Sequence, residues 1–282
     1  MPHTSLKQIL ILTLFLTGCG LLPTQATLTP VPPTPAPATL PPTPTLAPTV
    51  TATRVVPPVA PTILPTPSEP VPLTFNAADG AALAANYYPP IVRPAPALVL
   101  VHMLGGSKAD WDSFARSLQS QGYAALAIDL RGFGSSPGPE NWTKAPDDVK
   151  AAWQVLSARP EVDVNRTGLV GASIGANLSL MVGGPEERIV AVVALSPGLD
   201  YHGLNPTSAM SGFGQRPVYL VAGKDDTYSY NSVASLAGLS ISAETLLPDN
   251  AGHGTDMFGR VPTLEQDLIT WLNKYVRDLL KG

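Results

Sequence analysis

The chain has a single cysteine in 282 residues, so no disulfide can close within it. It carries no HExxH and no paired Cys/His spacing of the kind that holds zinc, so nothing calls for a metal. Charge is also scarce. Seventeen Lys and Arg stand against 21 Asp and Glu, a net charge of -4 with no basic run, which leaves no face to neutralise phosphates and excludes a nucleic-acid partner. The apolar run Ile9 to Leu16 is too short to span a bilayer comfortably. The glycine-rich turns "GASIGA" and "GFGSSPG" lack GxGxxG spacing and belong to no first βαβ unit with an acid about 20 residues on. That argues against dinucleotide redox chemistry, and no cofactor is expected. What is abundant is apolar side chain, 44% of the residues, enough to fill the core of one ordinary domain.

Proline is abundant too, at 32 residues, but unevenly placed. The opening "MPHTSLKQILILTLFLTGCG" sets Lys7 ahead of the short apolar run, a signal-peptide pattern over residues 1–18. Leu16, Thr17, Gly18 and Cys19 resemble the lipobox of bacterial lipoproteins, in which the cysteine is lipidated and becomes the new N-terminus. The resemblance implies a protein anchored to a membrane through Cys19, outside the cytoplasm in a bacterial cell envelope. Residues 19–70 are almost wholly Pro, Thr, Ala, Val and Leu, with Arg54 and Glu69 their only charges. Such a segment cannot build a core. Proline biases it to extended conformations, so it reads as a disordered or semi-rigid stalk reaching at most ~150 Å at ~3.1 Å per residue, open to O-glycosylation.

From Val71 to residue 282, short apolar strands alternate with amphipathic helices, the signature of an α/β fold with a mostly parallel sheet. Asp79-Gly80 between two strand-like runs predicts an antiparallel opening hairpin. Apolar runs at 97–102, 123–130, 166–172, 189–196, 217–223 and 243–248 bring the strands to eight, and their continuity suits burial on both faces. Helices are expected at about 107–120, 145–158, 174–183 and 263–280. Only some twenty residues separate Ser196 from Arg216, too few for a large cap domain.

The stretch "GLVGASIGANL" sets Ser173 between Gly171 and Gly175, between an apolar strand and a helical run. A sharp turn there needs small residues on either side and would lift the hydroxyl above the sheet. A serine becomes nucleophilic only when a base takes its proton, and histidine suits that task near neutral pH. Of four histidines, His3 lies in the signal segment and His102 ends an early strand. His253, flanked by glycines after the last strand, is the candidate base, ahead of His202 in "GLDYHG". An orienting carboxylate is then required. "VYLVAGKDD" offers Asp225 and Asp226, and Asp200 follows the preceding strand.

These features together resemble the α/β-hydrolase family, over essentially the whole of residues 71–282. "DLRGFGSS" at 129–136 adds to the likeness, resembling the DxRGxGxS turn often found after the fourth strand, where its role is structural. The resemblance implies a nucleophile elbow at Ser173, with Asp226 as the best-spaced acid and the triad order Ser173, Asp226, His253. It also implies an oxyanion hole from the backbone N–H of Leu104, with that of Met103 as the alternative, and the N–H of Ile174 just after the serine; "HMLGG" is similar to an HGxxG signature with Met103 in place of the usual glycine. His102 would then support that loop. The implied activity is hydrolysis of small or medium carboxylic esters through an acyl-enzyme. A thioesterase, amidase or peptidase with the same triad, or a non-catalytic binding module, are the alternatives. Oligomeric state is not readable from these features.

Overall fold

A computed structural model describes residues 67–279. The proposed signal segment, Cys19 and all but the last four residues of the Pro/Thr-rich stretch lie outside the described residues. In chain order the elements are β1 (Val71–Asn76), β2 (Ala82–Tyr88), β3 (Ala95–Val101), α1 (Asp112–Ser120), β4 (Ala124–Ile128), α2 (Ala145–Ser157), β5 (Val162–Ala172), α3 (Ile174–Gly183), β6 (Ile189–Leu195), α4 (Thr207–Met210), β7 (Val218–Val221), α5 (Thr227–Ala237), β8 (Ala243–Leu246), α6 (Met257–Arg260) and α7 (Leu264–Leu272).

The eight strands form one sheet in the order β1-β2-β4-β3-β5-β6-β7-β8. β1 runs antiparallel to β2, β2 antiparallel to β4, and every pair from β4 to β8 is parallel. The opening hairpin turns through Asp79-Gly80, with Gly80 at φ 86°. Its register places Val71 opposite Tyr87 and Asn76 opposite Ala82.

Because successive side chains point to opposite faces, the uninterrupted apolar strands feed two cores at once. All seven residues of β3 are buried; Ala97, Val99 and Val101 pack toward Val149, Trp153 and Leu156 of α2, while Leu98 and Leu100 pack toward Phe114 and Leu118 of α1 and Leu268 of α7. Among the described residues, the connection from Ser196 to Pro217 holds only α4 and a short 3-10 turn, so no large cap is built there. This is the eight-stranded, mostly parallel arrangement that the resemblance implies.

Three local readings change. The final helix does not run unbroken from 263 to 280: α7 ends at Leu272 and passes into a π-helical turn, Asn273–Arg277. The helix expected from 107 begins as a 3-10 turn at Lys108–Trp111, capped by Ser107 and Asp110. α5 was not legible at all. Its buried stripe has helical spacing, Ser229, Ser232, Val233 and Leu236, but half of it is serine, so apolar periodicity misses it.

The "DLRGFGSS" segment staples the layers together. Asp129 is fully buried, accepts the backbone N–H groups of Lys108 and Ser135 at 2.7 Å each, and pairs with the Lys108 ammonium. Ser136 donates to the Asp129 carbonyl at 2.7 Å and accepts the Ala84 N–H at 2.9 Å, joining this turn to β2. Arg131 forks onto the buried Asp148 of α2 and reaches Asp79 in the hairpin at 2.9 Å. Burial pushes the Asp148 carboxyl up, against the pull of Arg131, while Asp148 in turn raises the Arg131 guanidinium. Removing the guanidinium therefore strands a buried carboxylate. Arg131→Met is expected to lower stability by about 3–5 kcal/mol, measured by urea unfolding at neutral pH.

Candidate active site

Ser173 occupies the turn between β5 and α3 with φ 53° and ψ -117°, a left-handed conformation that non-glycine residues rarely adopt. Its N–H donates to the Leu195 carbonyl on β6 at 2.7 Å, and its carbonyl accepts the N–H of Ala176 at 2.9 Å. The turn packs without clearance. A Cβ at Gly171 would collide with the Gly175 carbonyl and the Ser179 hydroxyl, and one at Gly175 with the carbonyls of Val101 and His102 at the end of β3. Both glycines are thus required by close backbone approach.

His253 enters from the loop after β8, between Gly252 at φ 77° and Gly254 at φ 57°. Its Nε2 lies 2.7 Å from Ser173 Oγ and its Nδ1 lies 2.6 Å from Asp226 Oδ2. Asp226 follows β7 and caps α5, accepting the Ser229 N–H at 3.4 Å. Burial is the largest influence on its carboxyl and works to raise it, but the hydrogen bonds from His253 and Ser229 leave it below its ordinary value. An ionised carboxylate can only accept, so Nδ1 carries the proton and Nε2 is left to accept from the serine hydroxyl. The serine is 6% exposed, whereas the imidazole is 40% exposed and stands at the rim.

The other acids have different work. Asp225 accepts the N–H groups of Ala251 at 2.8 Å and Gly252 at 3.0 Å, pinning the loop that delivers His253. Asp200 accepts the Gly203 N–H at 2.8 Å within its own turn. His102 is fully buried and engaged at both nitrogens: Nδ1 donates to the Met103 carbonyl at 2.7 Å, and Nε2 accepts the Leu130 N–H at 3.0 Å. Burial above all holds its pKa below the ordinary value, so it is a neutral brace between the loops after β3 and β4.

Leu104 and Ile174 line one cavity with Ser173 and His253, of about 200 Å³, completed by Met103, Tyr201 and His202. The Leu104 N–H meets no acceptor among the described residues. Ile174 opens α3, where the first N–H groups of a helix lack intrahelical partners. Two donors are therefore available beside the serine. Met103 wedges its thioether against Gly254 and accepts the Thr255 hydroxyl at 3.7 Å. No group of three or more His, Cys, Asp or Glu converges as metal ligands among the described residues.

Four contributors, Ser196, Ser229, Tyr201 and Asn177, are not singled out by the sequence motifs. Ser196, at φ 52°, accepts the Gly254 N–H at 2.9 Å through its hydroxyl, while its carbonyl accepts the hydroxyls of Ser229 and Tyr201 at 3.3 Å each. Asn177, fully buried on α3, clamps the loop bearing Tyr201 and His202: its amide donates to the Gly198 and Leu204 carbonyls at 2.9 and 2.7 Å and accepts the Gly198 N–H at 2.9 Å. A polar residue on the buried face of an apolar helix was the available clue. The packing at the turn gives a direct test. Gly175→Ala is expected to destabilise the domain by about 1–3 kcal/mol, whereas Gly259→Ala, whose Cβ meets open space, leaves denaturant stability unchanged or higher.

Comparison with known proteins agrees with this architecture. The family described as alpha/beta hydrolase fold matches residues 96–211, a segment that includes Leu104 and Ser173 and ends before Asp226 and His253. The chain is 29% identical over 150 residues to quorum-quenching protein AidA of Acinetobacter baumannii, covering 51% of this chain and 49% of that one. It is 35% identical over 133 residues to esterase FrsA of Yersinia pestis, covering 44% and 31%. The match thus spans half or less of these relatives' lengths. Among solved structures, the α/β hydrolase GrgF from a Penicillium species superposes with a TM-score of 0.66 at 16% identity, over 74% of this chain and all of that one. An esterase of Pyrococcus furiosus does so with 0.64 at 19%, over 79% and 96%. Sheet order, family match and structural likeness agree: the described domain of this chain has the α/β-hydrolase fold.

Proposed function

We propose that the protein is a serine hydrolase that cleaves carboxylic esters through an acyl-enzyme. The observation that carries this reading is the unbroken hydrogen-bonded line from Ser173 Oγ through His253 to Asp226, with spacings of 2.7 and 2.6 Å. Ser173 Oγ attacks the ester carbonyl carbon while His253 Nε2 takes its proton, and the imidazolium that forms is held by Asp226. The negative charge on the former carbonyl oxygen is met by the N–H groups of Leu104 and Ile174. As the tetrahedral intermediate collapses, the carbon–oxygen bond to the alcohol breaks and His253 returns the proton to the leaving oxygen. Water, deprotonated by the same imidazole, then releases the acid and restores the serine.

A cavity of about 200 Å³ with Met103, Leu104, Ile174 and Tyr201 in its walls supports an ester with a compact acyl group, and the esterase names among the relatives support the same bond type. Membership of a cell envelope through lipidated Cys19, with residues 19–70 as the spacer, is part of the same reading and rests on the Lys7-apolar-cysteine pattern.

Ser173→Ala is expected to abolish turnover of short p-nitrophenyl esters and labelling by a fluorophosphonate probe. Asp226→Asn, which leaves the geometry but disturbs the histidine tautomer, should lower kcat by roughly three to four orders of magnitude. Equal turnover by wild type and the Ser173 variant would remove the role assigned to the serine. For the anchor, a bacterial host fed an alkyne fatty acid should label the full chain and not its Cys19→Ala variant; label on both would refute lipidation at that residue.

A further inference from the structure

The cavity above Ser173 shares a wall with another. On the far side of His202 lies a second cavity of about 290 Å³, over Trp142, Pro146, Met181 and Leu204, and His202 lines both. The partition is held firmly. His202 sits in the left-handed region at φ 54°, its ring packs on Trp142 with centroids 5.2 Å apart, and Asn177 grips the loop at Gly198 and Leu204. Trp142 is itself backed by Phe133 at 5.6 Å, and Phe133 by the buried His102 at 5.5 Å.

The second cavity is lined by Trp142, Pro146, Met181 and Leu204 together with the polar but uncharged Thr143 and with His202 at its rim. No Asp, Glu, Lys or Arg lines it. Its distance also fits an extension of the first. Ser173 caps α3 and Met181 lies eight residues along the same helix, so the helical rise sets the far wall about 12 Å from the serine. A short acyl group fills the first cavity and stops at His202. A longer apolar chain must pass that rim, and beyond it finds apolar surface to cover.

We propose that the cavity over Trp142 and Met181 is the distal subsite of the Ser173 site, taking the end of a medium-length alkyl or aryl acyl chain, with His202 at the junction setting which chains pass. This rests on the acyl-enzyme reading of Ser173. Thr143 lines the distal cavity from an exposed position, so a large side chain there should fill it without disturbing the core. The test compares kcat/KM for p-nitrophenyl acetate and octanoate in wild type, Thr143→Trp and His202→Ala, with fluorophosphonate labelling of Ser173 measured alongside. The octanoate-to-acetate ratio should fall about tenfold in Thr143→Trp, from loss of buried methylene surface, and rise severalfold in His202→Ala. An identical ratio in all three proteins, with the wild type labelled and active, overturns the subsite and leaves the serine-hydrolase reading standing. Absence of both labelling and turnover in the wild type overturns the two together.

Discussion

The close approach of two backbones governs the site. The turn after β5 lies so tightly against the end of β3 that the carbonyls of Val101 and His102 leave no room for a side chain at Gly175, and Gly171 meets the Gly175 carbonyl in the same way. That compression holds Ser173 at positive φ, with its hydroxyl raised toward the cavity. It also brings the start of α3 beside the loop after β3, which is why Ile174 and Leu104 line the same cavity. Relaxing the contact would disperse Ser173, Ile174 and Leu104 together.

The rest of the site is delivered by loops at the carboxyl ends of parallel strands, and each loop is tied by groups outside the Ser173–His253–Asp226 line. Asp225 holds the backbone before His253, and the Ser196 hydroxyl holds the backbone just after it. Ser229 connects the same network to Asp226 and, through the Ser196 carbonyl, to Tyr201. His102 is not a second base but a brace, since its two nitrogens are spent on Met103 and Leu130. Of the adjacent acids, Asp226 meets His253 and Asp225 ties its loop; of the histidines, His253 lines the cavity and His102 braces the loops beside it.

Much of this was legible because it has a local cause. Continuous apolar runs suit strands buried on two faces, and Asp79-Gly80 between two strand-like runs marks a hairpin; both appear at the expected places. Gly171 and Gly175 announce a crowded turn. α5 was hidden because its buried stripe is half serine, and those serines are buried through hydrogen bonds to the Ser196 carbonyl and the Leu199 N–H, partners far away in the chain. Asn177 was hidden for the same reason: its value lies in a loop twenty-one residues on, which helical periodicity does not report.

Read without coordinates, the chain already specifies its class of architecture, the turn that raises Ser173, and a short set of acids and histidines able to serve it. Those properties follow from neighbouring residues, through strand periodicity, steric allowance at glycine and the chemistry of each side chain. Folding puts Asp226 on His253 and gives Asp225 and Asp200 other partners, sets His253 within hydrogen-bond reach of the serine, and places His202 between two cavities. Such outcomes depend on where strands distant in the chain end relative to one another, and on which buried polar groups find partners there; no local stretch of residues contains that information.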